Sequence, residues 1–237
     1  MDELDIHFKL LGGRPIFIPQ AGLLNIPIFE TIVDLNMSTY NSYLAAILVD
    51  RSMFKSDLNE NVSNFDIFYS NCYHDPSFFQ VAFSAIELFF GHVPSFKETE
   101  SSVSIEVGEG QINHSNFDTI QKVIKLGNNV EIQTEPEFKP ANSKAKAMID
   151  MIIKNRSKQP KPKEKIDLHS IVSGLSCKEN GLSLFDLYKY NIYQIYNSFY
   201  VTNNVDNYRH TITALYAGTI DGKNIKLSDI HWANKIK

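Results

Sequence analysis

A four-turn apolar stripe near the C-terminus constrains this chain more than any other feature. Leu184, Leu187, Tyr188, Ile192, Ile195, Tyr196 and Phe199 recur at the spacing of one face of an α-helix. Ser183 stands at the N-cap, where its hydroxyl can accept from a free backbone N–H. Asp186, three residues on, completes a capping-box-like pair and sets negative charge at the positive end of the helix dipole. Thr202-Asn203-Asn204 reads as a turn. A second stripe follows, Val205, Tyr208, Ile212 and Leu215, and Gly218 closes it. Two amphipathic helices joined by a short polar loop predict an antiparallel helical hairpin. Asp221-Gly222 then marks a turn, Ile225 and Leu227 suit a short extended piece, and Ser228-Asp229 introduce a last turn carrying His231 and Trp232.

What precedes this stretch sets it apart. Residues 154–165 hold six basic side chains, one acidic one and two prolines, with nothing apolar to pack. They carry a net charge of +5, which leaves −9 on the rest of a chain whose total is −4. The organisation expected is therefore an N-terminal α+β domain over 1–155, a Lys/Pro-rich linker over 156–165 and a C-terminal helical domain over 166–237. Asp167 opens the last of these by capping a short helix with Leu168, Ile171, Val172 and Leu175.

Within the N-terminal part, Leu4, Ile6 and Phe8 alternate with polar residues, a strand pattern. Gly12-Gly13-Arg14-Pro15 turns the chain into a second strand at Ile16 to Ile18, giving a small hairpin. Helices are expected behind Pro27, over Tyr40 to Val49, and from Pro76 to Gly91. The last of these is apolar around most of its circumference, and hence central. Asn64 to Tyr73 fits helix or strand. Val103, Ile105 and Val107 make a clean strand with a partner at Gln111 to Asn113. Phe117, Ile120, Val123 and Ile124 form the buried face of a following helix that Gly127 ends. A further strand over 130–133 and a helix from Ser143 complete the domain. The fold class is mainly α, of α+β type: a small antiparallel β part in the N-terminal domain and a C-terminal helical hairpin.

Catalytic patterns are missing from the sequence. There is no P-loop, dinucleotide-binding glycine pattern, nucleophile elbow or zincin motif, so no cofactor and no enzymatic activity are expected. Cys72, His74, Asp75 and His92 lack the spacing of a ligand set and read as a loop between helices. Two distant cysteines match no redox motif and suit a reducing cytosol. The acidic start MDELDIHFK does not suit a signal peptide, and no apolar run reaches membrane-span length. The basic run lacks interleaved aromatics, which argues for a solvated linker over a nucleic-acid arm.

The remaining clue is a surplus of aromatic surface. Tyr190, Tyr193 and Tyr200 lie off the main stripe, and with Tyr196, Tyr208, Tyr216 and Trp232 they form the candidate partner-binding set. Aromatic rings with a polar tip suit protein interfaces. Packing against the N-terminal part of the same chain explains them equally well, and both readings stand at this point. Self-association is a third use of such surface.

The same stretch carries a resemblance. Leu182-Ser183-Leu184-Phe185-Asp186, Tyr190-Asn191-Ile192-Tyr193-Gln194-Ile195-Tyr196, Ala214-Leu215-Tyr216-Ala217-Gly218 and the Ile225 to Trp232 close resemble the end of tail assembly chaperones of tailed bacteriophages. Pro15-Ile16-Phe17-Ile18 and Tyr40-Asn41-Ser42-Tyr43-Leu44 are similar to the start of such chains. The resemblance implies a non-enzymatic protein of the infected bacterial cytoplasm. Such a protein binds the tape measure protein, keeps it soluble, helps recruit the tail tube protein, and is absent from the finished virion. Two rival readings are a phage-encoded protein that engages a host or defence protein, and a structural subunit of the tail or baseplate.

Overall fold

The computed structural model describes residues 2–53, 62–99, 102–130, 166–178 and 181–234. The strand expected from 130, the helix from Ser143 and the basic linker fall largely or wholly outside these residues. The architecture is mainly α with two small antiparallel sheets.

The chain opens with helix α1 (Glu3–Leu11), not with a strand. Asp2 caps it by accepting from the Leu4 N–H. Ile6 and Leu10, four apart, point into the core, which is helical spacing and not alternation. The hairpin is consequently displaced by one element. β1 (Ile16–Ile18) pairs with β2 (Gly22–Leu24) in the register Ile16↔Leu24, Phe17↔Leu23, Ile18↔Gly22. Next come α2 (Phe29–Leu35) and α3 (Met37–Ile47), separated by Asn36, which caps α3 through Thr39 N.

Helix α4 (Asn64–His74) settles the ambiguous stretch as helix, with a capping box made by Ser63 and Asp66. Helix α5 (Pro76–Phe90) is the central element. Asp75 caps it, Pro76 fills its first position, and Gly91 ends it in the left-handed conformation that an L side chain resists. Ala82, Ala85, Ile86 and Phe89 on α5 are essentially sequestered from water. It touches α3, α4, β2 and the second sheet.

That second sheet is a meander, β3 (Pro94–Thr99), β4 (Ser102–Val107) and β5 (Gly110–Ile112). It is tied to the first sheet by Gln111 N–H donating to Gln20 O at 2.7 Å. Gly110 permits this approach, because a Cβ there would lie 2.5 Å from the Ala21 carbonyl oxygen. Helix α6 (Phe117–Gly127) seals the core with Phe117, Ile120, Val123 and Ile124. The buried Gln121 amide donates to Ile47 O at 2.9 Å and Val49 O at 2.8 Å, satisfying carbonyls at the end of α3.

The C-terminal part contains α7 (Leu168–Cys177), α8 (Leu184–Tyr188) and α9 (Ile192–Tyr216). This corrects the expected hairpin. The break falls at Lys189–Asn191, inside the first stripe, and Thr202-Asn203-Asn204 is helical. Asn191 starts the new helix with a capping box, accepting from Gln194 N at 2.8 Å while Gln194 returns a bond to Asn191 N. Within the unbroken helix the Thr202 hydroxyl donates to Ser198 O at 2.6 Å. The element packed beside α9 is α7, through Ile171 and Leu175 near Phe199 and Thr202, and through the Lys178–Asp206 ion pair. The turn expected at Asp221-Gly222 is a 3-10 turn over Gly222–Asn224; Ile225 behind it has extended backbone, but Leu227 already lies in the next turn, so no strand forms there.

Candidate functional site

The long helix α9 is two things end to end. Its first two turns are anchored. Ile192 and Ile195 are buried, and Leu187 of α8 joins them in the core. Phe29 N–H donates to Tyr190 O at 2.7 Å, next to a β-bridge between Ile28 and Asn191. Two side-chain amides then cap the end of α1: Asn191 donates to Leu10 O at 3.1 Å and Gln194 to Leu11 O at 2.9 Å. The anchor thus rests on the last backbone carbonyls of α1, where Leu10 O also accepts from Gly13 N–H at 3.1 Å.

From Tyr200 to Tyr216 the helix has no buried side chain. Its half-buried residues there include Val201, Val205, Tyr208, Ile212 and Leu215. The segment after α9 turns back toward it. The ring of His231 lies 5.4 Å from that of Tyr208 and stacks with Trp232 at 5.6 Å. The outer half of α9 and this tail form a semi-exposed apolar and aromatic face.

The seven candidate residues divide along the same line. Tyr190 is half-buried at the anchor. Tyr193 packs on His7, its hydroxyl 2.9 Å from the imidazole Nδ1, and partial burial pushes its pKa up. Tyr196 stacks with Tyr200, whose hydroxyl accepts from the Asn129 amide at 3.4 Å. Tyr190 thus precedes α9, Tyr193 and Tyr196 sit on its inner half, and Tyr200 stands at the boundary. Tyr208 and Trp232 come together through His231 on the outer half, and Tyr216 stands alone at 90% exposure. Phe185 belongs with the exposed group at 82%, although it was not among the seven. Its signal is the one used for the tyrosines: it lies on α8 away from the face of Leu187, which is buried.

Elsewhere, the residues once considered for metal have structural posts. Cys72 is buried, and desolvation pushes its thiol up to about 12. Asp75 spends its carboxylate on the N–H groups of Ser77 and Phe78. No group of three metal-ligating side chains occurs among the described residues. A cleft of about 540 Å³ between the β1–β2 hairpin and the β4–β5 turn is lined largely by Phe17, Leu23, Phe90 and Val107, with Gln20, His92 and Glu109 as its polar side chains.

Residues 158–237 match a family model described as the YomV second domain. The family is phage-derived, its eponym coming from a Bacillus prophage, and the match points to a phage origin. It spans about a third of the chain and takes in α7, α8, α9 and the tail, the region that holds the semi-exposed face. No curated protein and no solved structure matches the chain. No helix among the described residues is long and apolar enough to cross a membrane.

Proposed function

We propose that this is a non-enzymatic phage protein that docks a helical partner on the outer half of α9, and that it serves as a tail assembly chaperone. The observation that carries this reading is the division of α9. Two turns are fixed to the core by Asn191, Gln194, Ile192 and Ile195, while the turns beyond Tyr200 bury nothing fully. A rigidly held helix with a partly exposed apolar stripe is suited to helix-against-helix recognition, with anchors at i, i+3, i+4 and i+7. Val201, Val205, Tyr208, Ile212 and Leu215 supply that spacing. Tyr216 and Trp232 add exposed rings of the kind that dominate interface energetics.

The partner proposed is the tape measure protein, a long helix whose apolar stripe needs cover until assembly. The chaperone then acts in the infected cell, helps recruit the tail tube protein and leaves before the virion is complete. Co-expression with a phage tape measure protein tests the reading. The complex is expected to co-purify, and Val205→Asp with Ile212→Asp is expected to abolish it. A partner that stays insoluble and unbound contradicts the proposal. So does recovery of this chain from purified particles by mass spectrometry, which is the outcome for a structural subunit.

A further inference from the structure

Helix α1 carries a second apolar face that the fold does not use. Ile6 and Leu10 are in the core at 3% and 1% exposure. Glu3 and His7, four apart on one flank, pair with Lys122 and lean on Tyr193, so that direction around the helix is occupied as well. On the remaining side Leu4, Phe8 and Leu11 follow at i, i+4 and i+7, with exposures of 58%, 63% and 44%. Three large apolar side chains in one outward stripe on a nine-residue helix are more than scattered surface hydrophobics.

We propose that this stripe binds a second copy of the same chain, with the two α1 helices antiparallel about a twofold axis near Phe8. The charges on the helix select this occupant. Asp2, Glu3 and Asp5 make the first turn acidic, while Lys9 and then Arg14 make the other end basic. An antiparallel pair sets each acidic end against a basic end, twice over, whereas a parallel pair opposes like charges. A twofold contact must be complementary to itself, and this distribution is. When Leu4 faces Leu11 of the second copy, Phe8 meets its own equivalent close to the axis. Asp5 then comes opposite Lys9 of the second copy, since the two lie on one flank of the stripe. Neither Asp5 nor Lys9 makes an ion pair with a described residue of its own chain. The antiparallel arrangement also sets each helix dipole head to tail against its neighbour. The contact is short and belongs at the small end of interface sizes, so the dimer dissociates on dilution.

Sedimentation equilibrium of the full chain, from about 10 µM to about 1 mM, reads this directly. The weight-average mass is expected to rise from one chain toward two. Phe8→Glu, at an exposed position, is expected to keep the circular dichroism spectrum and weaken self-association by at least about tenfold. Asp5→Lys and Lys9→Asp should each weaken it, and the double variant should restore it. Should Phe8→Glu disturb the fold, the charge-reversal set decides the matter by itself. A wild-type chain that stays at the mass of one copy throughout overturns the proposal. Self-association that Phe8→Glu leaves unchanged overturns it as well, as does a double variant no better than the singles.

Discussion

Asn191 joins the two halves of the chain more than any other single side chain. Its carbonyl oxygen caps α9 and its amide donates to the Leu10 carbonyl, while its own surface is almost wholly buried. Asn191→Ala removes a cap worth about 1 kcal/mol and a buried hydrogen bond worth about 1 kcal/mol. A loss of about 2 kcal/mol in thermal or urea unfolding is therefore expected. Asn191→Asp should rescue nothing, because it keeps the cap but turns a carboxylate oxygen toward the Leu10 carbonyl oxygen. The role was partly legible: Asn191-x-x-Gln194 is a capping pattern, hidden by an apolar stripe that runs on through it without a gap. Ser183 and Asp186, by contrast, stood at the start of that stripe and read correctly. The two thiols also separate at this scale. Cys177 is exposed, and Cys72 is buried with its thiol pushed up to about 12. A thiol reagent at pH 8 should modify Cys177 in the native protein and Cys72 only after unfolding.

Elements were legible where one pattern dominated and illegible where two competed. Helix α5 announced itself through Pro76 and Gly91 at its ends, while its Asp75 cap went unread. α1 did not, because Leu4, Ile6 and Phe8 alternate as in a strand. The deciding residue is Leu10, which pairs with Ile6 on the buried face. β3 went unread since Lys97, Glu98 and Thr99 give no apolar alternation, and its place comes from pairing with β4. The turn expected at Thr202–Asn204 failed for a tertiary reason. α7 packs there, and Lys178 reaches past it to Asp206. Propensity is a weak signal that such packing overrides. Two substitutions test the elements. Ile195→Asp places an unpaired carboxylate among fully buried side chains and is expected to cost about 4 kcal/mol or unfold the chain outright. Gly110→Ala drives a methyl into the Ala21 carbonyl and should cost about 2 kcal/mol by separating the two sheets. Neither should matter if the anchor and the sheet contact are incidental, and circular dichroism with urea titration distinguishes the outcomes.

At the scale of the whole molecule, charge and docking are separate questions. Glu3, held down mainly by its hydrogen bond to Lys122, lies below the usual carboxylate value of 4.5. Asp167, Asp186 and Asp206 lie below 3.8, owing chiefly to hydrogen bonds from Ser170, Ser183 and Lys178. Depressed folded pKa values stabilise above the unfolded values, and that stabilisation fades as pH falls through the folded ones. The urea midpoint should therefore drop below about pH 4, with only modest amplitude because these groups are exposed to solvent. Asp186→Asn should remove part of the drop. The mainly α architecture was readable from periodicity, but the use of the aromatic surplus was not, since packing and docking demand the same residues. The structure divides them: Tyr193 and Tyr200 contact the N-terminal part, while Tyr216 and Phe185 contact solvent. Hydrogen–deuterium exchange of the chain, alone and with the tape measure protein, tests the docking claim most directly. Amides over 200–216 should exchange faster than those over 192–199 in the free chain and slow markedly in the complex. A complex that leaves 200–216 unchanged, or protects another surface instead, would contradict the account.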